Sequence, residues 1–386
     1  MRRIPKVILL IESSRAAGRG LLRGIADYAR HYGPWSFFWE PGGLEKAWPT
    51  LRKSEADGII LRDIENVGEV VKLGLPAVIV EHRLSEVPGQ PNVVTDSHTI
   101  GQLAAEHLLR CGFRHFAYCG YAETPWSEKR LEAYVTRIRG AGFEVEARII
   151  PYAETESTWR KGRHVIAQWL KQVPKPVGLL ACNDDLGQEI VEVCRLHGME
   201  VPDEVAVIGV DNDELICGLS NPPMSSVAVN FERAGYEAAS VLSSLMRGHP
   251  QPPERILVHS THVVSRQSTD VMAVENAALA RALKYIRDHG RENISVSDAA
   301  RAAGLSRRVL EKRFRSLLKH SVLDEIRRVR TDHIVRMLVE TNLQITQIAD
   351  VLGFEDSQHF ARYFKSVKKQ TPLAYRKAHG AKHGTD

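Results

Sequence analysis

A chain of 386 residues is longer than one ordinary domain and suits two or three. With 43% hydrophobic and 26% charged residues it excludes wholesale disorder, collagen and coiled-coil classes. Net charge is +5, but residues 275–386 hold 22 Lys and Arg against 13 Asp and Glu, while the remainder holds 30 against 34. Such asymmetry fits an anionic partner for the basic segment, with a merely solvated helical surface as the alternative. No apolar stretch approaches the roughly 20 residues of a membrane helix, and Val7–Ile11 lacks the apolar core and cleavage site of a signal peptide. Cys111, Cys119, Cys182, Cys194 and Cys217 are odd in number and lack CxxC spacing, so neither disulfides nor zinc are expected. The expected compartment is the reduced cytoplasm, with no membrane partner.

From residue 5 to about 258, short Val/Ile-rich runs alternate with amphipathic segments. Strands are predicted at Val7–Ile11, Trp35–Trp39, Gly58–Leu61, Ala77–Val80, Phe116–Cys119, Val177–Cys182 and Val205–Val210. Helical patterns lie at Leu21–His31, Gly101–Cys111, Lys129–Ala141, Trp159–Lys171, Gly187–His197 and Arg233–Met246. This alternation predicts α/β architecture, parallel sheets covered on both faces, in two similar lobes. Ser265–Asp270 is polar and reads as a linker, and Val274–Lys377 is helical in period with no clear strand. The expected domains are a two-lobed sensor over 1–264, a linker over 265–274, an all-α domain over 275–378 and a frayed tail over 379–386.

Two segments of the basic region share a pattern. Val296–Leu318 and Ile345–Val367 each place a short helix, a glycine, an apolar residue and then a polar start to a second helix. Gly304 and Gly353 stand where the first helix must stop. Ser306 and Asp356 (or Glu355) suit the cap of the next. Leu310, Phe314, Phe360 and Phe364 fall on the inner face. The outward DNA-contact candidates are Ser306, Arg307, Arg308, Lys312 and Arg315 in one unit. In the other they are Ser357, Gln358, His359, Arg362 and Lys365. Each unit is a helix-turn-helix in which Arg and Gln suit base edges and Lys and Arg suit phosphates. One such pattern is shared by simple helical hairpins; two, joined by the helix-like Leu323–Glu340, are far more specific to double-stranded DNA. Arg327, Arg328 and Arg330 on the joining helix suit either DNA backbone contact or solvation, the latter favoured for most.

With GF at 353–354, HFARYFK at 359–365, TP at 371–372 and YR at 375–376, residues 277–378 resemble the DNA-binding domain of AraC/XylS-type regulators. That implies two recognition helices in successive major grooves about 34 Å apart. Lys369-Gln370 departs from the pattern, which often has Gly there, and a changed local turn is expected.

In the larger region, polar residues gather where strands end: Glu12, Asp96, Asn183, Asp184, Asp211 and Asn212, with Trp126 and Arg130 opening a helix. Carboxylates, amides, an arginine and an indole suit a polyhydroxy ligand in a cleft at strand ends. For each residue singly, a helix N-cap is the alternative. VVTDSHTIGQLAAEHLL at 93–109, ACND at 181–184, VPDEVAVIGVDND at 201–213 and MSSVAVN at 224–230, expected as a turn, resemble the periplasmic-binding-protein-like effector domain of LacI/GalR-type regulators. The resemblance implies Asp96, Arg130, Asn183 and Asp211 as sugar-facing residues. Asp184, Glu12, Arg19 and Trp126 are weaker candidates. The LacI-type N-terminal DNA-binding segment is expected to be missing, since the first strand starts near residue 6. The two halves together resemble xylose-responsive regulators, which implies D-xylose as effector, although the spacing does not separate it from another pentose.

No P-loop, GxGxxG or HExxH is present. His82, His98, His107 and His115 lack ligand spacing. GLS at 218–220 and 304–306 lacks the second glycine of a nucleophile elbow, and adjacent Asp184 and Asp185 point apart. No enzyme, cofactor or metal is expected. The reading is a sugar-responsive, homodimeric regulator of pentose genes, most simply an activator with RNA polymerase as a further partner. The competing reading is a sugar-binding module whose basic helices contact protein.

Overall fold

The computed structural model describes residues 3–41, 55–62, 67–81, 86–152, 156–249, 255–270, 277–318 and 320–380. His82, residues 271–274 of the expected linker and 381–386 of the expected tail lie outside the described residues.

Two six-stranded sheets form the sensor. The N-lobe holds β1 (Lys6–Leu10), β2 (Ser36–Trp39), β3 (Gly58–Arg62), β4 (Ala77–Val80), β5 (Asn92–Thr95) and β11 (Arg255–Val258), in the order β11-β5-β4-β3-β1-β2 and all parallel. The C-lobe holds β6 (His115–Tyr121), β7 (Val145–Ile150), β8 (Val177–Ala181), β9 (Val205–Asp211), β10 (Ser225–Val229) and β12 (Ser260–Val264), in the order β12-β10-β9-β8-β6-β7. Only the edge strand β12 among these runs antiparallel, against β10. Helices α1 (Ala16–Tyr32), α2 (Val67–Val71) and α8 (Phe231–Met246) serve the first lobe. Helices α3 (Ser97–Arg110), α4 (Pro125–Arg139), α5 (Glu156–Gln172), α6 (Asp184–Leu196) and α7 (Glu214–Leu219) serve the second. The helices begin earlier than their apolar periodicity suggests, because Asp96, Asn183 and Asn230 each accept a backbone N–H of the first turn and set the start.

Segment 224–230, expected as a turn, is instead the buried strand β10. Its serines are concealed because their hydroxyls are satisfied: Ser226 donates to Asp184 (2.6 Å) and Ser225 to the Arg266 carbonyl (3.1 Å). Ser265–Asp270 is likewise no free tether. Gln267–Thr269 forms a 3-10 turn with Ser268 and Thr269 fully buried. Ser268 Oγ donates to the Val207 carbonyl at 2.6 Å, and Thr269 Oγ1 lies 2.8 Å from His107 Nε2 and 2.7 Å from Ser225 Oγ.

The chain passes between lobes at three points: Asp96 (β5 to α3), Asn230 (β10 to α8) and His259 (β11 to β12). They lie side by side, with Asp96 N donating to the Val258 carbonyl (3.0 Å) and Asn230 N to that of His259 (2.9 Å). These crossings are the hinge.

The basic region is all helical among its described residues: α9 (Ala277–Asp288), α10 (Val296–Ala303), α11 (Arg307–Arg313) with a π turn over Phe314–Leu318, α12 (Val322–Glu340), α13 (Ile345–Val351), α14 (Ser357–Lys368) and α15 (Pro372–His379). It has two cores. Leu279, Ala299, Leu310, Phe314, Val322 and Ile326 fill one; Ile334, Leu338, Ile348, Phe360, Phe364 and Tyr375 fill the other. The long α12 lends its first half to one and its second half to the other.

Lys369, at the expected local turn, has φ 59°, a left-handed C-cap for α14. A side chain there costs on the order of 1 kcal/mol. Lys369→Gly is therefore expected to raise stability by up to about 1 kcal/mol, read as a higher midpoint in thermal melts.

Candidate ligand cleft and nucleic-acid interface

The cleft lies where strand ends of both lobes face each other. Arg15, Arg62, Glu81 and Thr95 of the N-lobe and Trp126, Arg130, Asn183 and Asp211 of the C-lobe line a cavity of about 70 Å³. That is room for roughly two waters. Among the described residues, three ion pairs span the lobes and hold them together: Arg15–Asp185 (2.7 Å), Arg19–Asp213 (2.7 Å) and Lys129–Glu81 (3.2 Å). The cavity as it stands is smaller than a monosaccharide.

Arg130 and Asp211 are the chemical centre. Arg130 is 3% exposed, donates to the Cys182 carbonyl and stacks its guanidinium 4.7 Å from the Trp126 ring centroid. Its Nη2 stands 3.7 Å from Asp211 Oδ1, too long for a hydrogen bond. Arg130 Nε and Asp211 Oδ1 are both buried without a hydrogen-bond partner. Burial pushes the Asp211 carboxyl up; Arg130 opposes this, Asp185 reinforces it, and the group settles at about 6. Asp211 also has φ 104° and Asn212 φ 50°, a strained backbone of the kind that gathers at ligand clamps. An unpartnered donor and an unpartnered acceptor on two residues that line one small cavity suit the paired hydroxyls of a sugar.

Sequence reasoning placed Arg130, Asn183, Asp211 and Trp126 in this cleft, and the structure brings them together. Asn183 also caps α6 through Leu186 N (3.0 Å). Asp96 does not line the cavity: its carboxylate caps α3 at Thr99 N (3.1 Å) and faces the hinge. Asp184 is buried behind the wall, accepting from Ser226 Oγ and from Asp213 N (2.7 Å). Burial, then Asp211, pushes its carboxyl well above the usual range. Arg19 is engaged by Asp213 and by the Ser13 and Ser14 carbonyls outside the cavity. Glu12 stands behind Arg62, its partner; burial raises its carboxyl, but Arg62, Ser14 and Arg15 together hold it below its ordinary value. Arg15, Arg62, Glu81 and Thr95 were missed. Arg62, Glu81 and Thr95 each end or follow a strand, the same signal that marked the others.

The second site is the outer face of the helical domain. Gly304 (φ 68°) and Gly353 (φ 65°) adopt the left-handed turn after α10 and α13 that a side chain would strain. Ser306 accepts from Val309 N (3.4 Å) and Asp356 from His359 N (2.5 Å), opening α11 and α14. Leu310, Phe314, Phe360 and Phe364 are wholly buried, which leaves Arg307, Arg308, Lys312, Gln358, His359, Arg362 and Lys365 exposed. Ser357 is half-buried, and Arg315 is exposed on the π turn rather than on α11 itself. Arg307 forms an ion pair with Glu311 one turn on (3.1 Å). Of the joining-helix arginines, Arg327 is exposed, as solvation requires. Arg328 instead binds Glu325 and Asp332 (2.6 and 2.7 Å), and Arg330 is buried over the Phe354 ring. Neither is available to solvate or to meet phosphate.

Among the described residues, no helix is long and apolar enough to cross a membrane and no group of three or more His, Cys, Asp or Glu is placed to hold a metal ion.

Residues 105–269 match a periplasmic binding protein-like domain and residues 299–378 a helix-turn-helix domain. The chain is 29% identical over 383 residues to the xylose operon regulatory protein of Escherichia coli K12, covering 96% of each chain. It is 26% identical over 380 residues to that of Haemophilus influenzae, covering 96% of this chain and 98% of the relative. Among solved structures it is similar to a xylose-binding transcription activator at 27% identity and TM-score 0.62, covering 98% and 99% of the two chains. A cellobiose complex of another transcriptional regulator, at 23% identity and TM-score 0.58, shares the sensor fold over 69% of this chain.

Proposed function

From the premise that this chain is a sugar-responsive DNA-binding transcription regulator built on the plan of the xylose operon regulatory proteins, we propose that its effector is D-xylose. We further propose that the protein acts in the cytoplasm as a homodimeric activator of xylose-utilisation genes that cooperates with RNA polymerase. The supporting observation is the two unsatisfied buried atoms, Arg130 Nε and Asp211 Oδ1, on neighbouring residues of the cleft, with the Trp126 indole against Arg130. A pentose ring offers hydroxyls to both and an apolar face to the indole. Arg15, Arg62, Asn183 and Glu81 complete the ring of polar contacts. Sugar replaces the direct interlobe ion pairs as the element holding the lobes shut, and it shifts the population toward the DNA-competent form through its differential affinity for the closed shape.

Thermal-shift screening of pentoses and hexoses tests the effector, because a ligand of the native state raises the melting midpoint. D-Xylose should give the largest rise; a flat panel, or a larger response to another sugar, would remove this assignment.

Affinity for the sugar should fall on acidification. The carboxylate form of Asp211 accepts hydroxyls, and with its pKa near 6 that form is depleted as pH drops through 6. The expected loss is about tenfold per unit below that point, with a plateau above pH 7. Calorimetry from pH 5 to 8 reads it directly, and Asp211→Asn should remove both the pH dependence and most of the affinity.

On DNA, Arg307→Ala and Gln358→Ala should relax base preference, whereas Lys365→Ala should weaken all sequences alike and reduce the salt slope by about one. Gel shifts on single-base operator variants separate these outcomes. An unchanged preference for Arg307→Ala would count against its place at a base edge.

A further inference from the structure

The helical domain rests on both sides of the sensor's hinge. Its first unit is anchored to the C-lobe, where Arg287 of α9 binds Asp270 (2.7 Å), and the shared joining helix α12 packs on strand β12. Its second unit reaches the hinge through the last turn of α15. Asn230, a crossing residue, donates from Nδ2 to the His379 carbonyl. Arg233, in the first turn of the N-lobe helix α8, donates to the Lys377 carbonyl (3.4 Å). The ring of His259, a second crossing residue, meets that of His379 edge-on at 5.8 Å. The His379 ring lies tilted against Tyr375 (4.3 Å), and Tyr375 meets Phe364 of recognition helix α14 at 5.3 Å. A continuous chain of contacts thus runs from hinge to recognition helix.

We propose that Asn230, Arg233, His259 and His379 are positioning residues for operator reading: they tie α15 to the hinge, so that movement of the lobes turns recognition helix α14 relative to α11. Two features make this turn possible. The units have separate cores, so one can rotate against the other without breaking either. They are anchored to parts of the sensor that move relative to each other, Asp270 on the C-lobe and Arg233 on the N-lobe. Closure cannot leave both anchors and the angle between the units unchanged. Two helices that must enter successive grooves are sensitive to that angle. The inference rests on the reading of the cleft as a sugar site for the direction of the movement, but not for the existence of the tie.

The test is a spin-label distance between the units. Ser316→Cys and Ser366→Cys supply exposed labelling positions, and the five native cysteines are buried. The tie is cut by Asn230→Asp, which keeps the cap of α8 but loses the donor to the His379 carbonyl, together with Arg233→Ala and His379→Ala. His379→Phe keeps a ring against His259 and Tyr375 and should restore the parent behaviour. All variants must melt cooperatively. In sugar-free protein the cut variant should show a broader distance distribution than the parent; an identical distribution overturns the proposal whatever the effector is. With D-xylose, the parent should show a shifted mean distance and tighter operator binding. The cut variant should retain sugar binding in the calorimeter while losing both the shift and most of the effect on operator affinity. A shift that survives the cut, or no shift in a parent that binds sugar, also overturns the tie. A calorimeter silent toward D-xylose counts against the effector assignment alone, and the sugar-free comparison then decides the tie.

Discussion

Replacing Arg130 by alanine is expected to abolish sugar binding and to destabilise the C-lobe. The side chain does three things at once. It compensates the half-buried Asp211 carboxylate, donates to the Cys182 carbonyl and stacks on Trp126. Removing one partner of a buried charge pair costs about 3–5 kcal/mol when the other charge stays ionised. Asp211 escapes part of this by taking up a proton, since burial already holds its carboxyl near 6 and the opposing pull of Arg130 would be gone. The cost should therefore be near the lower end at neutral pH and smaller at pH 5. Denaturant melts at both pH values check the sign: a stability loss that grows on acidification would contradict the arrangement. Arg130→Lys keeps a charge but loses the fork that reaches Cys182 and Asp211 together, and should recover stability better than binding. Calorimetry on the two variants separates these effects.

Arg330→Ala is expected to cost the helical domain about 2–4 kcal/mol and to eliminate specific DNA binding while leaving sugar binding intact. Arg330 lies on α12 between the two cores. It donates to Asn293 Oδ1 (2.9 Å), just before the first helix-turn-helix unit, and to the Leu352 carbonyl (2.9 Å), in the turn of the second. Its guanidinium lies 4.1 Å from the Phe354 ring centroid. Removing it leaves the Leu352 carbonyl without this donor, and frees the second turn from the joining helix. A two-transition melt in which only the helical domain shifts, together with unchanged sugar calorimetry, is the expected signature. Normal operator affinity in a folded variant would show that Arg330 does not set the geometry of the turn.

The burial of Arg330 marks one limit of sequence reading. Three arginines in a short stretch of an exposed-looking helix resemble a solvated or phosphate-binding face, and only Arg327 is one. The pairing of Arg328 with Glu325 and Asp332, three and four residues away on the same helix, is a local signal that a count of charges passes over. The central strands and the recognition helices were legible from their pattern. Continuous Val/Ile runs and Gly-to-cap spacing are local signals that the fold does not override. Strand β10 was hidden because its serines pair with Asp184 and Arg266 far away in sequence. In the cleft, Arg130, Asn183 and Asp211 follow from strand-end position plus family resemblance. The same resemblance also points to Asp96, whose carboxylate caps a helix and neighbours the hinge here. Asp184, beside Asn183 in sequence, points behind the wall because adjacent residues at a helix start diverge. Arg15, Arg62 and Glu81 come from the other lobe, and which N-lobe residues face the C-lobe is a property of the closed pair rather than of any segment.

The buried turn Gln267–Thr269 bears on how this protein can be divided. Ser268 and Thr269 act as a plug: between them they occupy the hydroxyl of Ser225, the ring of His107 and the carbonyl of Val207, far from one another in the chain. An excised sensor ending at residue 264 would carry an unfilled socket lined by polar groups at the foot of β10, and would be prone to aggregate. One ending at residue 270 would carry its own stopper. The joint between sensing and reading thus begins after that turn, and a swap of reader domains among such regulators has its natural suture there.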